Sequence, residues 1–376
     1  MEIYLDNAAT TRVCPEAIEA AVNAMDICYG NPSSTHTKGR EAKALLDKSR
    51  AQVAAALGCA ANELYFTSCG SEADNWAIIN GAESRKRFGK HVISSTVEHD
   101  AVRKSLDELE RRGFEVTRLS PEPSGAISMQ SVENALRSDT ALVTLMMVNN
   151  ETGAVTDIAA IAKMLKARKS SALLHSDAVQ GFMKLPFAAK TLGADLISIS
   201  GHKIHAPKGI GALYIKTGVK IKPYIMGGAQ ESNLRAGTEP MPQIAAFGAA
   251  CDTAKAALEG SIERMSALRG KAAERICSLM PEAQVIGGGA PHILSISLPG
   301  WRSEVLMNYL EAKGIYVSRS SACKKGGRSH VLEAMGLPPA VIDGAIRIGL
   351  SRCTTDAEID ALCAALKDAH DTLAHR

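Results

Sequence analysis

The sequence lacks any long apolar run and has no apolar signal core at its N-terminus. No segment approaches the roughly 18 uninterrupted apolar residues that a membrane-spanning helix needs, and the first residues, MEIYLDNAATT, carry an acid at Asp6. We therefore expect neither a membrane-spanning helix nor a secretory signal peptide. Internal repeats, low-complexity tracts and a flexible linker are also lacking, so we expect the domains to move little or only by a hinge.

An excess of charge of either sign is also missing. Lys and Arg number 43 against 40 Asp and Glu, which gives a formal net charge of +3. Proteins that bind nucleic acid or an anionic membrane surface usually carry a basic excess. We therefore expect small molecules and proteins as partners, with no direct contact to nucleic acid or to a membrane.

Cysteine pairs with the spacing of a metal site or a disulfide framework are absent. The nine cysteines are odd in number and scattered, and no two are spaced as Cys-x-x-Cys. This pattern indicates neither a disulfide framework nor a zinc ribbon. A reducing compartment fits this usage, and we expect a cytoplasmic protein.

The composition that is present is typical of a globular protein with about two domains. The chain has 376 residues, of which 46% are hydrophobic and 22% charged. Between Glu63 and Tyr214, short apolar or β-branched runs alternate with amphipathic helical runs, which predicts a mainly parallel sheet covered by helices. The predicted strands lie at 63–68, 90–95, 114–120, 140–148, 171–177, 195–201 and 209–216, and helices are expected to start near Ser71, Asp100, Ser128 and Asp157.

The C-terminal third has a different pattern. Residues 241–282 are rich in Ala, Glu, Lys and Arg at helical spacing, which predicts one or two long helices and a domain boundary. Strand and helix patterns then alternate again to the final amphipathic helix, and they predict a compact, smaller α/β domain. We therefore predict a large domain at 13–248 and a small domain formed by 1–12 and 249–376.

Three loops of the predicted sheet carry residues that could together bind one cofactor. Gly70 and Ser71 lie where a strand runs into a helix, a place that binds phosphate, although Ser71 and Asp74 could instead form a helix cap. Asp177 ends an apolar strand, where a carboxylate could hold a protonated ring nitrogen or could cap a turn. Lys203 follows another apolar strand and could form a Schiff base with a carbonyl cofactor, or could be a surface lysine. Their occurrence together on loops of one sheet favours a pyridoxal phosphate site.

Histidines occupy two of these loops. His99 follows another strand, where an imidazole can stack on a flat ring and move protons. His202, beside Lys203, is a competing candidate for the proton transfer, and a structural role is an alternative for both. His202 and His205 are three residues apart, but no carboxylate or thiol at metal spacing accompanies them, so we predict no metal site.

Nine longer motifs occur in order along nearly the whole chain. They are YLDNAATT (4–11), GNPSSTHTKG (30–39), FTSCGSEADN (66–75), EHDAV (98–102), VNNETGAV (148–155), HSDAVQ (175–180), SGHKIHAPKGIGALY (200–214), RAGTEP (235–240) and SACKKGGRSHVL (321–332). The set closely resembles the cysteine desulfurases, which belong to the class V aminotransferase-like group of fold type I pyridoxal phosphate enzymes. The resemblance implies an α/β fold, with a large domain on a mostly parallel sheet and a smaller C-terminal α/β domain.

The resemblance also implies roles for the matching residues. Lys203 would bind the cofactor pyridoxal 5'-phosphate as a Schiff base, Asp177 would pair with the pyridine nitrogen, and Gln180 would donate to the ring hydroxyl oxygen. Arg347 would hold the carboxylate of the substrate, L-cysteine, by a bidentate pair, and Asn150 would assist at the substrate and the cofactor. His99 would stack on the ring, Gly70, Ser71, Ser200 and His202 would hold the phosphate, and Thr238 would reach the phosphate of the neighbouring subunit in a homodimer.

Cys323 would be the catalytic nucleophile. The thiolate is the reactive form of cysteine, and the basic residues around this position favour it; they are Arg319, Lys324, Lys325 and Arg328. Gly326 and Gly327 are expected to make the loop mobile. The other eight cysteines fit the usual role of small hydrophobic residues, and Cys251, Cys277 and Cys363 lie in helical patterns.

The implied activity is the removal of sulfur from L-cysteine. Lys203 and His99 would move protons, Cys323 would take the sulfur as a persulfide, and L-alanine would be released. The persulfide would pass to an acceptor protein, either an iron–sulfur cluster scaffold or an enzyme of tRNA or cofactor thiolation. Alternatives are a selenocysteine lyase or an aminotransferase on the same scaffold and, from another class, a non-catalytic protein that kept the fold.

Two segments depart from the family pattern. Cys69 stands where the family usually has glycine, so a second thiol is expected near the cofactor. The segment before Cys323 reads Arg-Ser-Ser-Ala in place of Ser-Gly-Ser-Ala, and KKGG follows it in place of a Ser-rich stretch. The mobility of this loop and the choice of sulfur acceptor therefore stay open.

Overall fold

The computed structural model describes residues 2–319 and 327–373. The strands, numbered along the chain, are β1 (Ile3–Tyr4), β2 (Leu64–Thr67), β3 (His91–Ser95), β4 (Glu115–Leu119), β5 (Thr140–Met146), β6 (Leu173–Asp177), β7 (Leu196–Ser200), β8 (Gly211–Ile215), β9 (Gln284–Ile286), β10 (Ile293–Ser297), β11 (Ile315–Tyr316), β12 (Ser318–Arg319) and β13 (Ala345–Gly349). The helices and helical turns are α1 (Pro15–Asp26), α2 (Thr37–Leu57), α3 (Gly70–Asn75), α4 (Gly81–Arg85), α5 (Asp100–Arg111), α6 (Met129–Ala135), α7 (Ile158–Ala167), α8 (Ala189–Leu192), α9 (Gln230–Asn233), α10 (Met241–Ala256), α11 (Leu258–Leu279), α12 (Ser303–Ala312), α13 (His330–Ala334), α14 (Pro339–Asp343) and α15 (Asp356–Thr372).

A seven-stranded sheet organises the first two-thirds of the chain. Its order is β2-β8-β7-β6-β5-β3-β4, and all neighbours are parallel except β8, which runs antiparallel to β2 and β7. Successive side chains of a strand point to opposite faces; accordingly Leu142 packs in one apolar cluster and Val143 in another. The predicted mainly parallel sheet is confirmed, and each of its predicted strands overlaps an observed one.

Side-chain caps explain three of the predicted helix starts. His99, Ser128 and Asp157 accept hydrogen bonds from backbone N–H groups in the first turns of α5, α6 and α7. The proposed cap between Ser71 and Asp74 does not form, because α3 has no side-chain cap at its start.

The second sheet is smaller and antiparallel. Its order is β12-β13-β10-β9, and β1 pairs with β11 in a parallel two-stranded ladder. A separate apolar core packs beneath this sheet against α11 and α15, and it includes Leu294, Ile346 and Leu362. The smaller C-terminal α/β domain is thus confirmed. The run YVSRSSAC (316–323) is one of the strand patterns that predict this domain; it is observed as part of β11 and as β12 up to Arg319, and its remainder lies outside the described residues.

Helix α10 continues past residue 248, where the large domain was predicted to end. Its later residues, including Ala250 and Cys251, still pack in the core of the large sheet, whereas Met265 of α11 packs in the second core. The predicted domain limits remain a prediction. In residues 2–319 and 327–373, no helix is long and apolar enough to cross a membrane.

Candidate active site

A cavity of about 300 Å³ lies at the carboxyl ends of the parallel strands. Open α/β sheets bind their ligands at this edge, because the loops that leave neighbouring strands meet there. The small domain closes one side through Arg347 on β13. Most of the predicted site residues line this one cavity: Gly70, Ser71, His99, Asn150, Asp177, Gln180, Ser200, His202, Lys203 and Arg347.

Lys203 extends from the turn that follows β7 towards the N-terminal segment. Its Nζ donates to the carbonyl oxygens of Ala8 and Ala9, at 2.8 and 2.6 Å. The segment is held in place because the Thr11 hydroxyl donates to the His202 carbonyl oxygen at 2.9 Å. The lysine amine therefore lies in the cavity wall and is not a surface group.

Asp177 is one of several buried carboxyl groups at the cavity. It is 5% exposed, and one of its oxygens accepts from the Val179 N–H at 2.9 Å. Burial raises its pKa, which His99 and Lys203 oppose by favouring the carboxylate. Burial also raises the pKa of Glu98 to about 8 and that of Asp74 well above its usual range. Asp177 is therefore the carboxyl group that is placed to pair with a cation in the cavity.

A neutral histidine lies beneath these carboxyl groups. His175 is fully buried, and burial lowers its pKa to about 3. Its ring nitrogens lie 2.8 Å from the Thr144 hydroxyl and 3.0 Å from the Ser198 hydroxyl. His175 therefore supplies hydrogen bonds and no charge to the floor of the site.

The two candidate proton-transfer histidines differ in their contacts. His99 accepts from the Ala101 N–H through Nδ1 at 3.1 Å, so a neutral ring carries its proton on Nε2. His202 lies with Nδ1 3.2 Å from the Thr10 hydroxyl, and burial together with Lys203 lowers its pKa to about 4. His202 is therefore neutral at physiological pH, which favours a role in hydrogen bonding.

The predicted phosphate-binding loops leave a narrow, polar recess. A Cβ added to Gly70 would lie 2.7 Å from Val179 Cγ2, so a larger residue would displace the neighbouring loop. The Ser200 hydroxyl is buried and has no hydrogen-bond partner in the described residues. Buried hydroxyl groups are normally paired, so this recess fits a ligand that supplies acceptor oxygens, such as a phosphate.

Arg347 brings the small domain into the cavity. It is 3% exposed and donates to the Asn150 carbonyl oxygen and to an Asp6 carboxylate oxygen, both at 2.8 Å. Its Nε has no partner among the described residues. A buried guanidinium with unused donors is suited to binding a small carboxylate.

The sequence and structure comparisons agree with this geometry. The aminotransferase class-V family matches residues 3–362. A protein named cysteine desulfurase from Trichormus azollae is 43% identical over 363 residues, which cover 95% of this chain and 90% of that protein. The chain belongs to the cysteine desulfurases of the class-V aminotransferase family.

Solved structures of similar proteins support the same membership. A NifS-like protein matches with a TM-score of 0.93 and 35% identity, covering 99% of this chain and all of that one. A structure described as SspA in complex with cysteine matches with a TM-score of 0.82 and 31% identity, over 94% of this chain and all of that one. The fold type I assignment is therefore confirmed for this cysteine desulfurase.

Two residues of the predicted desulfurase site are not placed in the cavity. Thr238 is exposed and does not line it, and its expected contact with a neighbouring subunit stays a prediction. Cys323 lies outside the described residues. Cys69, the departure from the family pattern, does line the cavity beside Gly70 and Ser71.

Several buried polar residues of this desulfurase site are not among those predicted from the sequence. Glu151 lines the cavity and accepts a hydrogen bond from the Ser329 hydroxyl, and burial raises its pKa to about 7. Lys184 and His292 lie behind Gln180 and hydrogen-bond to its side chain. Lys184 carried a usable signal, because it stands in the apolar run GFMKLPF, where an exposed lysine is not expected.

Proposed function

We propose that this protein removes sulfur from L-cysteine with pyridoxal 5'-phosphate as its cofactor. The observation that carries the proposal is the meeting of Lys203, Asp177 and Arg347 in one cavity. These are an amine for the cofactor carbonyl, a carboxylate for the ring nitrogen and a guanidinium for the substrate carboxylate. The cysteine desulfurase relatives and the cysteine found in a solved relative support the choice of substrate.

The described residues fit the cofactor. Lys203 would hold it covalently, Asp177 would bind its ring nitrogen, and Gln180 would donate to its ring hydroxyl. The unpaired Ser200 hydroxyl would gain a phosphate oxygen as its partner, together with Gly70, Ser71 and His202. When bound, pyridoxal phosphate withdraws electrons from the substrate α-carbon.

The protein side chains would orient the substrate and move its protons. Arg347 would bind the carboxylate through its unused donors, with Asn150 beside it. Lys203 would take the α-proton, because its amine is already held at the cavity wall by the two carbonyl groups. His99 would exchange a second proton through Nε2, since its Nδ1 is occupied by the Ala101 N–H.

Cys323 would receive the sulfur, a role that rests on the sequence resemblance. Its thiolate would attack the sulfur of cysteine, so that an S–S bond forms and the S–Cβ bond breaks. The thiol proton of the substrate would end on the β-carbon, giving L-alanine and the Cys323 persulfide anion. The sulfur is oxidised and the carbon reduced, so the step needs no external oxidant or reductant.

Two variants test the proposed reaction. Cys323→Ser should bind pyridoxal phosphate and still change its absorbance when L-cysteine is added, but should form no persulfide. Cys353→Ser is the matched control, because Cys353 is an exposed cysteine that does not line the cavity. Continued alanine release by the wild-type protein, given L-cysteine and no keto acid, would distinguish the proposed activity from that of an aminotransferase. Unchanged persulfide formation in Cys323→Ser would contradict the assigned nucleophile.

We also propose that the enzyme is a cytoplasmic homodimer that hands its sulfur to an acceptor protein for iron–sulfur cluster assembly or tRNA thiolation. An apolar stripe on α1 supports the dimer, because Ile18, Val22 and Met25 are each more than half exposed. Val22→Asp should therefore give monomers in light scattering, while Ser266→Asp on exposed α11 should not.

A further inference from the structure

The side-chain amide of Gln180 is held from behind by three groups. Its Nε2 lies 2.8 Å from the carbonyl oxygen of Ala8. Its Oε1 lies 3.3 Å from Lys184 Nζ and 3.1 Å from His292 Nε2. Gln180 lines the cavity, whereas Lys184 and His292 do not line it.

The contact with Ala8 fixes which way the amide faces. A backbone carbonyl can only accept a hydrogen bond, so the Gln180 atom beside it must be the NH2 group. The other end is then the carbonyl oxygen, which has two lone pairs. Lys184 and His292 supply one donor to each of them, so the amide oxygen has no acceptor capacity left for a ligand.

The charge states of the two donors agree with this arrangement. Burial, with Lys203 and Arg347 nearby, lowers the pKa of Lys184 well below its usual range, and burial does the same to His292. A neutral imidazole has one N–H, which must lie on Nε2 to serve Gln180. His292 Nδ1 is consequently a bare acceptor, and it has no partner among the described residues.

Both residues are costly to bury, and within the described residues the one side-chain hydrogen bond of each goes to Gln180. An unpaired buried nitrogen lacks the hydrogen bond that it would make in water, and a buried lysine amine gives up its favourable solvation. The geometry points to Lys184 and His292 as positioning residues, which lock the Gln180 amide so that only its second N–H faces the cavity. This inference rests on the proposed function, because it makes Gln180 a dedicated donor to the ring hydroxyl oxygen of the cofactor.

The test compares removal of the donor itself with removal of the two groups that orient it. Gln180→Leu abolishes the donor, and the double variant Lys184→Met/His292→Leu leaves Gln180 in place with its oxygen unpaired. Both substitutions of the double variant replace a polar group by an apolar side chain of similar length. Lys163→Met is the control, because Lys163 is an exposed lysine on α7.

The measurement is a pH titration of the absorbance of pyridoxal phosphate bound to each protein, without substrate. A hydrogen-bond donor to the ring oxygen of the cofactor stabilises the anionic form of that oxygen. When the donor is lost, the titrating proton beside the ring oxygen binds more tightly, and the pH at the midpoint of the titration rises. Gln180→Leu should raise the midpoint by about one pH unit, the equivalent of one hydrogen bond to a charged group. The double variant should move the midpoint in the same direction by at least half that amount, and Lys163→Met should leave it unchanged.

The single variants keep the test valid if the double variant does not fold. Lys184→Met and His292→Leu should each give a smaller rise, and His292→Asn, which keeps an N–H, should shift the midpoint less than His292→Leu. An unchanged midpoint in these variants, beside a shifted one in Gln180→Leu, would overturn the positioning role alone. A wild-type protein that takes up no pyridoxal phosphate would overturn the proposed function as well.

Discussion

Arg347 on β13 forms an ion pair with Asp6 in the N-terminal segment, with 2.8 Å between Nη2 and Oδ1. The two residues are 341 positions apart in the chain, and together they join the small domain to the cavity of the large sheet. Because Arg347 is almost completely buried, its charge needs this partner to be tolerated. The pairing leaves the guanidinium oriented towards Asn150 and the cavity.

Replacing Arg347 by lysine should weaken substrate binding. A lysine keeps the positive charge but cannot make a bidentate pair with a carboxylate. We expect Arg347→Lys to raise the KM for L-cysteine by about tenfold or more, while pyridoxal phosphate still binds. Steady-state alanine release measures the change, and Arg275→Lys on the exposed face of α11 is the control. An unaltered KM would show that Arg347 does not bind the substrate carboxylate.

Glu98 should make the stability of the cofactor-free protein depend on pH. Burial raises its folded pKa to about 8, well above that of an unfolded glutamate. At a pH between the unfolded and the folded pKa of Glu98, the folded protein holds a proton that the unfolded chain has released. The free energy of unfolding therefore falls as pH rises through this range. Each unit of pKa difference corresponds to about 1.4 kcal/mol.

Glu98→Gln removes this titration while keeping hydrogen-bonding groups beside Ser95 and Met146. Thermal unfolding measured between pH 5 and 9 should show a smaller decline with pH in the variant than in the wild-type protein. Glu274→Gln, at an exposed position of α11, should follow the wild-type curve. Parallel curves for wild type and Glu98→Gln would mean that Glu98 is already ionised in the folded protein.

The short turn α9 should be stabilised by a glycine. Glu231, Ser232 and Asn233 all have positive φ angles, of 46°, 57° and 65°, in the region that disfavours residues with a Cβ. Glu231 must stay, because its carboxylate pairs with Arg50 and accepts from the Phe66 N–H. Ser232→Gly should raise the free energy of unfolding by about 0.5–1 kcal/mol. Ser278→Gly, in regular α11, should lower it by a similar amount in the same denaturant titration.

The sequence indicated the residues whose position follows from local pattern. Asp177 and Lys203 each come at or just after an apolar strand, so the sheet alone was enough to bring them together. The acidic residues Asp74 and Glu98 lie only a few positions away from predicted site residues, yet their burial depends on strands elsewhere in the chain. The sequence pattern offered Asp74 as a partner of Ser71 in a helix cap, whereas in the structure it is buried and lines the cavity.

Contacts between distant segments could not be predicted from periodicity. Lys184 and His292 are 108 positions apart in the chain and meet at Gln180, and only the packing of the two domains decides that distance. The cost of burying their polar groups is likewise a tertiary property, because it depends on which donors and acceptors surround them. Apolar neighbours in the sequence indicate that a polar side chain is buried, but they do not identify its hydrogen-bond partner.

The two buried aspartates of the site should respond differently to the same substitution. Asp177 faces His99 and Lys203, whose charges favour its ionised form, whereas Asp74 has no cationic partner among the causes that set its pKa and is most affected by burial and by Asp177 itself. Burial and Asp177 both raise the pKa of Asp74 and so disfavour its charged form, and Asp74→Asn should therefore retain most of the activity. Asp177→Asn should lower kcat by at least about a hundredfold, because an amide cannot keep a ring nitrogen protonated. Alanine release and cofactor absorbance, measured on both variants at the same pH, distinguish the two carboxyl groups, and equal losses would contradict the assignment.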